Sequence, residues 1–329
     1  MRSTQNWTEA IVEALRDVTP TVREFTLRPQ RGVVPHEPGG HLQMQVLVGQ
    51  GPAAKVHTRS YSLVGQPDGQ TYRVAIKRLD DGRGGSLAMW RLAVGDRLQI
   101  SEPQNHFPLD LASPAYLLVA GGIGVTPMVL MAQALAQRSA RTRMVFGARS
   151  DAELAYLSQL KQALGSNLVT AVAERGEMID FAGEIANLPA GAQMYVCGPV
   201  PMLDGARRAW SQAGRALADL RYETFGSSGR FAPQAFNVKI PRHKLDITVS
   251  ADCSLLDALE MQGVQSLYDC RRGECGLCAM DVLAVEGEID HRDVFLSDEE
   301  KDKNQRICVC VSRAVGSITL DSAYRTDLK

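Results

Sequence analysis

Cys270-Arg271-Arg272-Gly273-Glu274-Cys275-Gly276-Leu277-Cys278 carries three cysteines at Cys-x4-Cys-x2-Cys spacing, and Cys308 and Cys310 follow downstream. Three thiolates in one loop with a distant fourth match the plant-type 2Fe-2S spacing, in which a tight loop wraps the cluster and a separate segment closes it. The stretch therefore reads as an electron-transfer centre. A structural zinc site brings its cysteines as pairs from two knuckles rather than three from one loop. A disulfide pair suits an exported chain, and Met1 to Val18 is polar and mixed in charge, without the apolar core of a signal peptide. Gly273 and Gly276 leave room for backbone N–H groups to turn toward inorganic sulfide, where a β-carbon would obstruct them. Cys308 and Cys310 are two apart, so on a strand over residues 307–311 both face one side and either reaches iron.

A second constellation lies nearer the N-terminus. Arg59-Ser60-Tyr61-Ser62 offers a cation, an aromatic plane and hydroxyls along one strand, with Arg59 and Tyr61 on one face. A ligand with a phosphate at one end and a flat ring at the other would meet both. An Arg and a Tyr on a strand are also an ordinary surface charge and half-buried ring. What raises the pair above that is the run from Lys77 to Ser86, where a strand containing Ala75 and Lys77 ends in a Gly-rich turn. The turn, with Gly84, Gly85 and Ser86, leads into a helix over residues 86–91 and supplies backbone donors for a phosphate.

The third constellation is a strand, a glycine turn and a helix. Tyr116-Leu117-Leu118-Val119-Ala120 precedes Gly121-Gly122-Ile123-Gly124-Val125-Thr126-Pro127, and residues 128–137 have helical composition. This arrangement brings a pyrophosphate to a helix N-terminus, although the run is not the Gly-x-Gly-x-x-Gly of the dehydrogenases. Tyr195-Val196-Cys197-Gly198-Pro199 ends a later strand. Arg149, Ser150 and Asp151 follow the second strand of this series, near the expected adenosine ribose. Arg149 and Ser150 suit a 2′-phosphate, whereas the Asp151 carboxylate repels one and accepts from a free 2′-hydroxyl. Asp151 also fits a helix N-cap, with Leu154 opening the apolar side.

The elements that position these residues fall into three groups. Alternating segments at residues 21–27, 41–46 and 72–77, separated by turn clusters, predict an antiparallel barrel over residues 1–110. Strands at 143–148, 168–173 and 193–197 alternate with helices at 151–164 and 201–213, predicting a parallel sheet over 111–226 with ligands at its strand C-terminal ends. Residues 227–235 read as a linker, because Gly226-Ser227-Ser228-Gly229 is closed by Pro233. The remainder, 236–329, holds six of the seven cysteines, the exception being Cys197.

At 329 residues the chain is long enough for two or three cores, and 45% hydrophobic with 22% charged content is that of a soluble globular protein. No apolar run reaches the length of a membrane span. The formal net charge is −1, but residues 236–329 carry 12 Lys and Arg against 17 Asp and Glu, a net of −5. An acidic terminal module on a mildly basic body argues against nucleic-acid binding and suits either steering toward a basic docking face or a merely solvated acidic surface. The expected compartment is the cytoplasm.

Arg59-x-Tyr61-Ser62 with its Gly-rich turn resembles the flavin barrel of the ferredoxin-NADP reductase superfamily. Flavin barrel, nicotinamide domain and C-terminal ferredoxin, in that order, resemble the phthalate dioxygenase reductase family across nearly the whole chain. The resemblance implies a multidomain fold: an antiparallel β-barrel, an α/β parallel-sheet domain and an α+β, β-grasp ferredoxin domain. It implies FMN, with Tyr61 on the ring, Ser62 at its N5 edge, and Arg59 and the glycine-serine turn on the phosphate. It implies that Cys197-Gly198 sets a thiol beside the nicotinamide, and that Glu223 and Phe225 close the domain near the flavin. Cys310-Val311-Ser312-Arg313-Ala314 resembles the segment carrying the closing ligand of ferredoxin-like domains, so Cys310 joins Cys270, Cys275 and Cys278 as the expected iron ligands. The expected donor is NADH and the expected partner a Rieske-type oxygenase. Flavin between them meets a mismatch of number, since hydride carries two electrons and the cluster accepts one. The alternative is a stand-alone carrier that uses only its ferredoxin module.

Overall fold

The computed structural model describes residues 6–49, 54–80, 82, 84–225 and 229–321. Asp81 and Arg83 of the Gly-rich turn, and Gly226, Ser227 and Ser228 of the expected linker, lie outside the described residues.

The first elements are β1 (Trp7–Thr19), β2 (Val22–Pro29), β3 (His41–Val48), β4 (Lys55–Ser62), β5 (Tyr72–Lys77), α1 (Gly85–Trp90) and β6 (Arg97–Ser101). Their strands make a six-stranded antiparallel sheet in the order β4-β3-β6-β1-β2-β5. Beyond β4 the chain returns to β5: Leu63 bridges Val74, and the Val64 N–H donates to the Arg73 carbonyl at 2.9 Å. That contact joins the two ends of the sheet, as a barrel requires. Alternation fills the interior with Phe25, Leu27, Leu42, Met44, Val74 and Ile76.

Next come β7 (Tyr116–Gly121), α2 (Val125–Gln137), β8 (Thr142–Ala148), α3 (Leu157–Leu164), β9 (Leu168–Val172), α4 (Phe181–Ala186), β10 (Gln193–Cys197), α5 (Val200–Gln212) and β11 (Leu220–Glu223). The sheet is parallel throughout, in the order β11-β10-β7-β8-β9. β7 and β10 are buried along their full length, which is why they read as unbroken apolar runs. Strand order reverses between β7 and β10, and open α/β sheets bind their ligands at such a switch point. The helix expected over 151–164 differs. A single 3-10 turn, Asp151–Glu153, is followed by a break, and α3 starts only at Leu157 because Tyr156 takes a left-handed backbone with φ +61°.

The last group is β12 (Phe236–Ile240), β13 (Leu245–Val249), α6 (Leu255–Met261), β14 (Ala279–Asp290), α7 (Asp298–Asp302), β15 (Arg306–Cys308) and β16 (Arg313–Asp321). The sheet runs β13-β12-β16-β14-β15, parallel only between β12 and β16. Leu255, Leu256 and Leu259 of α6 share one core with Phe236, Val238 and Ile240, whose strand alternates buried and exposed residues. This mixed sheet with a packed helix fits the expected ferredoxin-like fold.

The first two sheets belong to one compact unit, the chain up to Asp80 with Gly85–Glu223, and the third lies in a second unit that takes in Thr224 onward. Among the described residues no helix is long and apolar enough to cross a membrane.

Candidate redox centres

On the barrel, the β3–β4 ladder sets Arg59 opposite Met44, Ser60 opposite Gln43, Tyr61 opposite Leu42 and Ser62 opposite His41. Arg59 Nη1 donates to the Thr58 carbonyl at 2.9 Å, while its Nη2 is buried without a hydrogen-bond partner. The guanidinium lies on the Gly85 backbone: a β-carbon there would stand 2.7 Å from Arg59 Nε. The structure thus brings together the cation and the glycine turn that the sequence set some twenty-five residues apart. The Ser86 hydroxyl accepts the Leu79 N–H at 3.1 Å and closes the turn. A buried guanidinium N–H with no acceptor is costly, and an anion such as a phosphate relieves it, so these residues fit a flavin phosphate. Tyr61 is half-buried, and burial pushes its phenol up to about 12 against the opposing charge of Arg59. Ala75 and Lys77 stand elsewhere on β5, Ala75 opposite Glu24 and the Lys77 ammonium 3.1 Å from Glu153.

In the parallel sheet, Cys197 pairs with Ala120 on one side and Glu223 on the other, so Cys197 and Glu223 end adjacent strands; both are buried. The glycine turn interlocks with the Cys197-Gly198-Pro199 turn. A β-carbon on Gly124 would lie 2.1 Å from the Cys197 carbonyl oxygen, and one on Gly198 would lie 3.1 Å from Gly121 Cα. The Thr126 hydroxyl donates to the Ile123 carbonyl at 3.0 Å and ties the turn to the start of α2. The two strand ends and their turns lie together at the switch point, where a helix N-terminus suits a pyrophosphate. Phe225 is half-buried just beyond β11.

Asp151 does not cap a helix. Its carboxylate instead accepts both Nε and Nη2 of Arg175, at 3.1 Å for the first, and that pairing holds its carboxyl below the usual carboxylate range. Arg175 sits just past β9, and the neighbouring Glu174 N–H donates to the Arg149 carbonyl at 3.0 Å. Sequence reading missed Arg175; its position after the next strand of a parallel sheet was the available signal.

The cysteine loop shows its chemistry most directly. The backbone N–H groups of Arg272, Glu274 and Cys275 all point at Cys270 Sγ, each at 3.4 Å. Donors of this kind stabilise sulfur-borne charge and tune an iron-sulfur centre. Cys270 and Cys275 share a hydrogen bond that draws Cys275 down to about 6 and, with burial, pushes Cys270 up. Hydrogen bonds from Cys308 and then Cys310 draw Cys278 down to about 4. The thiols thus form two hydrogen-bonded groups, Cys270 with Cys275 and Cys278 with Cys308 and Cys310, so both candidates for the fourth ligand stand beside Cys278. The expected strand over 307–311 is shorter: β15 ends at Cys308, and the Ser312 N–H returns to the Cys308 carbonyl at 3.0 Å, so Cys310 sits in a turn. Both cysteines are buried.

Glycine matters here for two reasons at once. Gly273 and Gly276 have φ of +77° and +73°, and β-carbons on them would stand 2.8 Å from Asp293 Cα and 2.2 Å from the Phe295 ring. Arg271, also left-handed at φ +52°, is held by Asp257 at 2.6 Å and Glu260 at 2.7 Å, with its guanidinium 4.2 Å from the Tyr268 ring centre. This clamp fixes the loop to α6 and was not legible in the cysteine spacing.

Comparison with known proteins bears on all three centres. Residues 118–208 match the oxidoreductase NAD-binding domain, and residues 238–315 match the 2Fe-2S iron-sulfur cluster binding domain. The chain is 35% identical over 314 residues to the heme-dependent oxidative N-demethylase beta subunit of Ectopseudomonas mendocina, covering 94% of this chain and 97% of that one. It is 32% identical over 311 residues to the carnitine monooxygenase reductase subunit of Acinetobacter baumannii, covering 93% and 95%. Among solved structures it matches phthalate dioxygenase reductase, described as a modular structure for electron transfer from pyridine nucleotides to [2Fe-2S], with a TM-score of 0.77, 28% identity, and coverage of 96% and 98%.

Proposed function

Because this chain belongs to the phthalate dioxygenase reductase family, we propose that it is the NADH-oxidising reductase component of an oxygenase or O-demethylase system. Its electrons pass through FMN and a 2Fe-2S cluster to a Rieske-type oxygenase. The observation that carries the reading is the cysteine loop, with three N–H donors on Cys270 Sγ, in one chain with an NAD-binding sheet and a barrel that holds Arg59 against Gly85.

The residues divide the work. Arg59, Gly84, Gly85 and Ser86 hold the flavin phosphate, and Ser60, Tyr61 and Ser62 orient the ring, with Ala75 and Lys77 on the neighbouring strand. Gly121, Gly122, Gly124 and Thr126 form the pyrophosphate turn, and Arg149 and Asp151 meet the adenosine ribose. Cys197, Ser62 and Glu223 are the catalytic residues beside the nicotinamide and the flavin, with Gly198 following Cys197 at the same strand end. Cys270, Cys275, Cys278 and Cys310 bind iron. When bound, flavin supplies the exchange between a two-electron hydride and single electrons, and the chain needs no other group for that step. The modules are residues 1–110, 111–226 and 236–329, with 227–235 as linker, and the compartment is the cytoplasm, where cysteines of this kind stay reduced.

Purified protein should reduce cytochrome c with NADH, release FMN on heating, and pass electrons to an added Rieske-type oxygenase. Failure to oxidise NADH leaves only the stand-alone carrier, and recovery of FAD overturns the flavin assignment. Electron delivery to a haem demethylase but not to a Rieske oxygenase reassigns the partner.

A further inference from the structure

Glu24 on β2 is a carboxylate only 6% exposed, set in register with Arg16 on β1 and Ala75 on β5. Its neighbours Phe25 and Val74 fill the barrel interior, so Glu24 faces away from that core. There its Oε2 accepts the Tyr156 hydroxyl at 2.8 Å, while Arg16 donates to both carboxylate oxygens at 3.0 and 3.3 Å. Tyr156 comes from the nucleotide-binding half of the same unit and is 5% exposed. Burial, with the charge of Glu24 alongside, pushes its phenol above the ordinary value, so the proton stays on the hydroxyl and donates.

Lys77 extends the contact, pairing with Glu153 at 3.1 Å. The short segment from Asp151 to Tyr156 is therefore fixed to the barrel at two points. Its first residue meanwhile stands beside Arg175 at the C-terminal ends of β8 and β9. The left-handed backbone of Tyr156 is a conformation that a residue with a β-carbon keeps only where its surroundings enforce it. Here the enforcing surroundings are Glu24 and the barrel wall.

We infer that Tyr156 and Glu24 are positioning residues for hydride transfer: their buried hydrogen bond sets the nucleotide sheet against the flavin barrel, and the Asp151–Tyr156 segment carries that constraint to the ribose end of the site. The inference rests on the hydride-transfer reading above. Its energetic basis is that hydride transfer is sensitive to donor–acceptor distance, whereas nucleotide affinity is spread over many contacts.

The test uses Tyr156→Phe, which keeps the ring, and Glu24→Gln, which keeps an acceptor oxygen. Stopped-flow bleaching of the flavin by NADH gives the hydride rate and the NADH dissociation constant. Hydrogen exchange on the NADH-free protein reads the latch itself. Tyr156→Phe should slow bleaching about tenfold or more, with the dissociation constant moving less than about twofold. Amides in 22–29 and in 151–156 should exchange faster together. Glu24→Gln should stay within about threefold of wild type, since its amide oxygen still accepts the phenol. Bleaching at the wild-type rate in Tyr156→Phe, or faster exchange confined to 151–156, overturns the inference. If NADH fails to bleach the wild type, the proposed function falls, and the exchange measurement still judges the latch.

Discussion

Replacing Gly273 by alanine should cost the cluster-binding unit more than any comparable change at Gly276, and the difference can be worked from the neighbours. Both glycines are left-handed, so either alanine carries a backbone penalty of about 1–2 kcal/mol. The steric terms diverge. At Gly273 the new methyl would meet Val311 Cγ2 at 2.6 Å and Asp293 Cα at 2.8 Å, and the second of these is backbone. Asp293 is fixed further, because its carboxylate accepts the Leu296 N–H at 2.9 Å and the Ser312 hydroxyl at 3.0 Å. With no room to yield, overpacking adds about 1–3 kcal/mol, for a total of roughly 2–5 kcal/mol. At Gly276 the obstacle is the Phe295 ring, which is 43% exposed and free to swing into solvent. That relief holds the cost near about 1–2 kcal/mol.

Thermal loss of the cluster's visible absorbance, at one scan rate for all variants, is the assay. A domain of this size shifts by about 4–8 °C per kcal/mol, so Gly273→Ala should lose the absorbance at least about 8 °C below wild type. Gly276→Ala should fall between the two, and adding Phe295→Ala should not restore it to wild type, because the backbone penalty remains. A Gly273→Ala protein as stable as wild type would show that the loop relaxes around the methyl and that Asp293 is not the wall it appears in the packing.

The other predictions concern the ligands and the nucleotide. Cys310→Ser should abolish or grossly alter the visible and EPR signature of the cluster, while Cys308→Ser leaves it nearly intact; the reverse result makes Cys308 the fourth ligand. Wild-type protein should show higher kcat/KM with NADH than with NADPH. Asp151→Ala should narrow that ratio by about tenfold, the worth of one repelled or hydrogen-bonded charge at about 1.4 kcal/mol, and an unchanged ratio removes Asp151 from the explanation.

The cysteine spacing was readable without a fold because ligand geometry is local: three sulfurs in nine residues already share one loop. The same holds for the apolar run at Tyr116–Gly121 and its glycine turn, since a buried parallel strand leaves its composition in the sequence. The barrel strand Tyr72–Lys77 and the strand Gln193–Cys197 were likewise set by alternation and apolar content. Long-range partners left no such trace. Arg59 meets Gly85, and Asp151 meets Arg175, because the chain folds back, and either charge alone reads as solvated surface. Asp151 looked like a helix cap because a helix was expected behind it. Only tertiary packing, which holds Tyr156 left-handed against Glu24, breaks that helix and releases the carboxylate to Arg175. Cys308 and Cys310 show the same limit at short range: their spacing put both on one face of a strand, whereas the turn that ends β15 after Cys308 depends on how residues 309–312 fold back onto it. Sequence patterns report burial and local geometry, which each residue experiences by itself; pairings between distant charges exist only once the fold has chosen their distance.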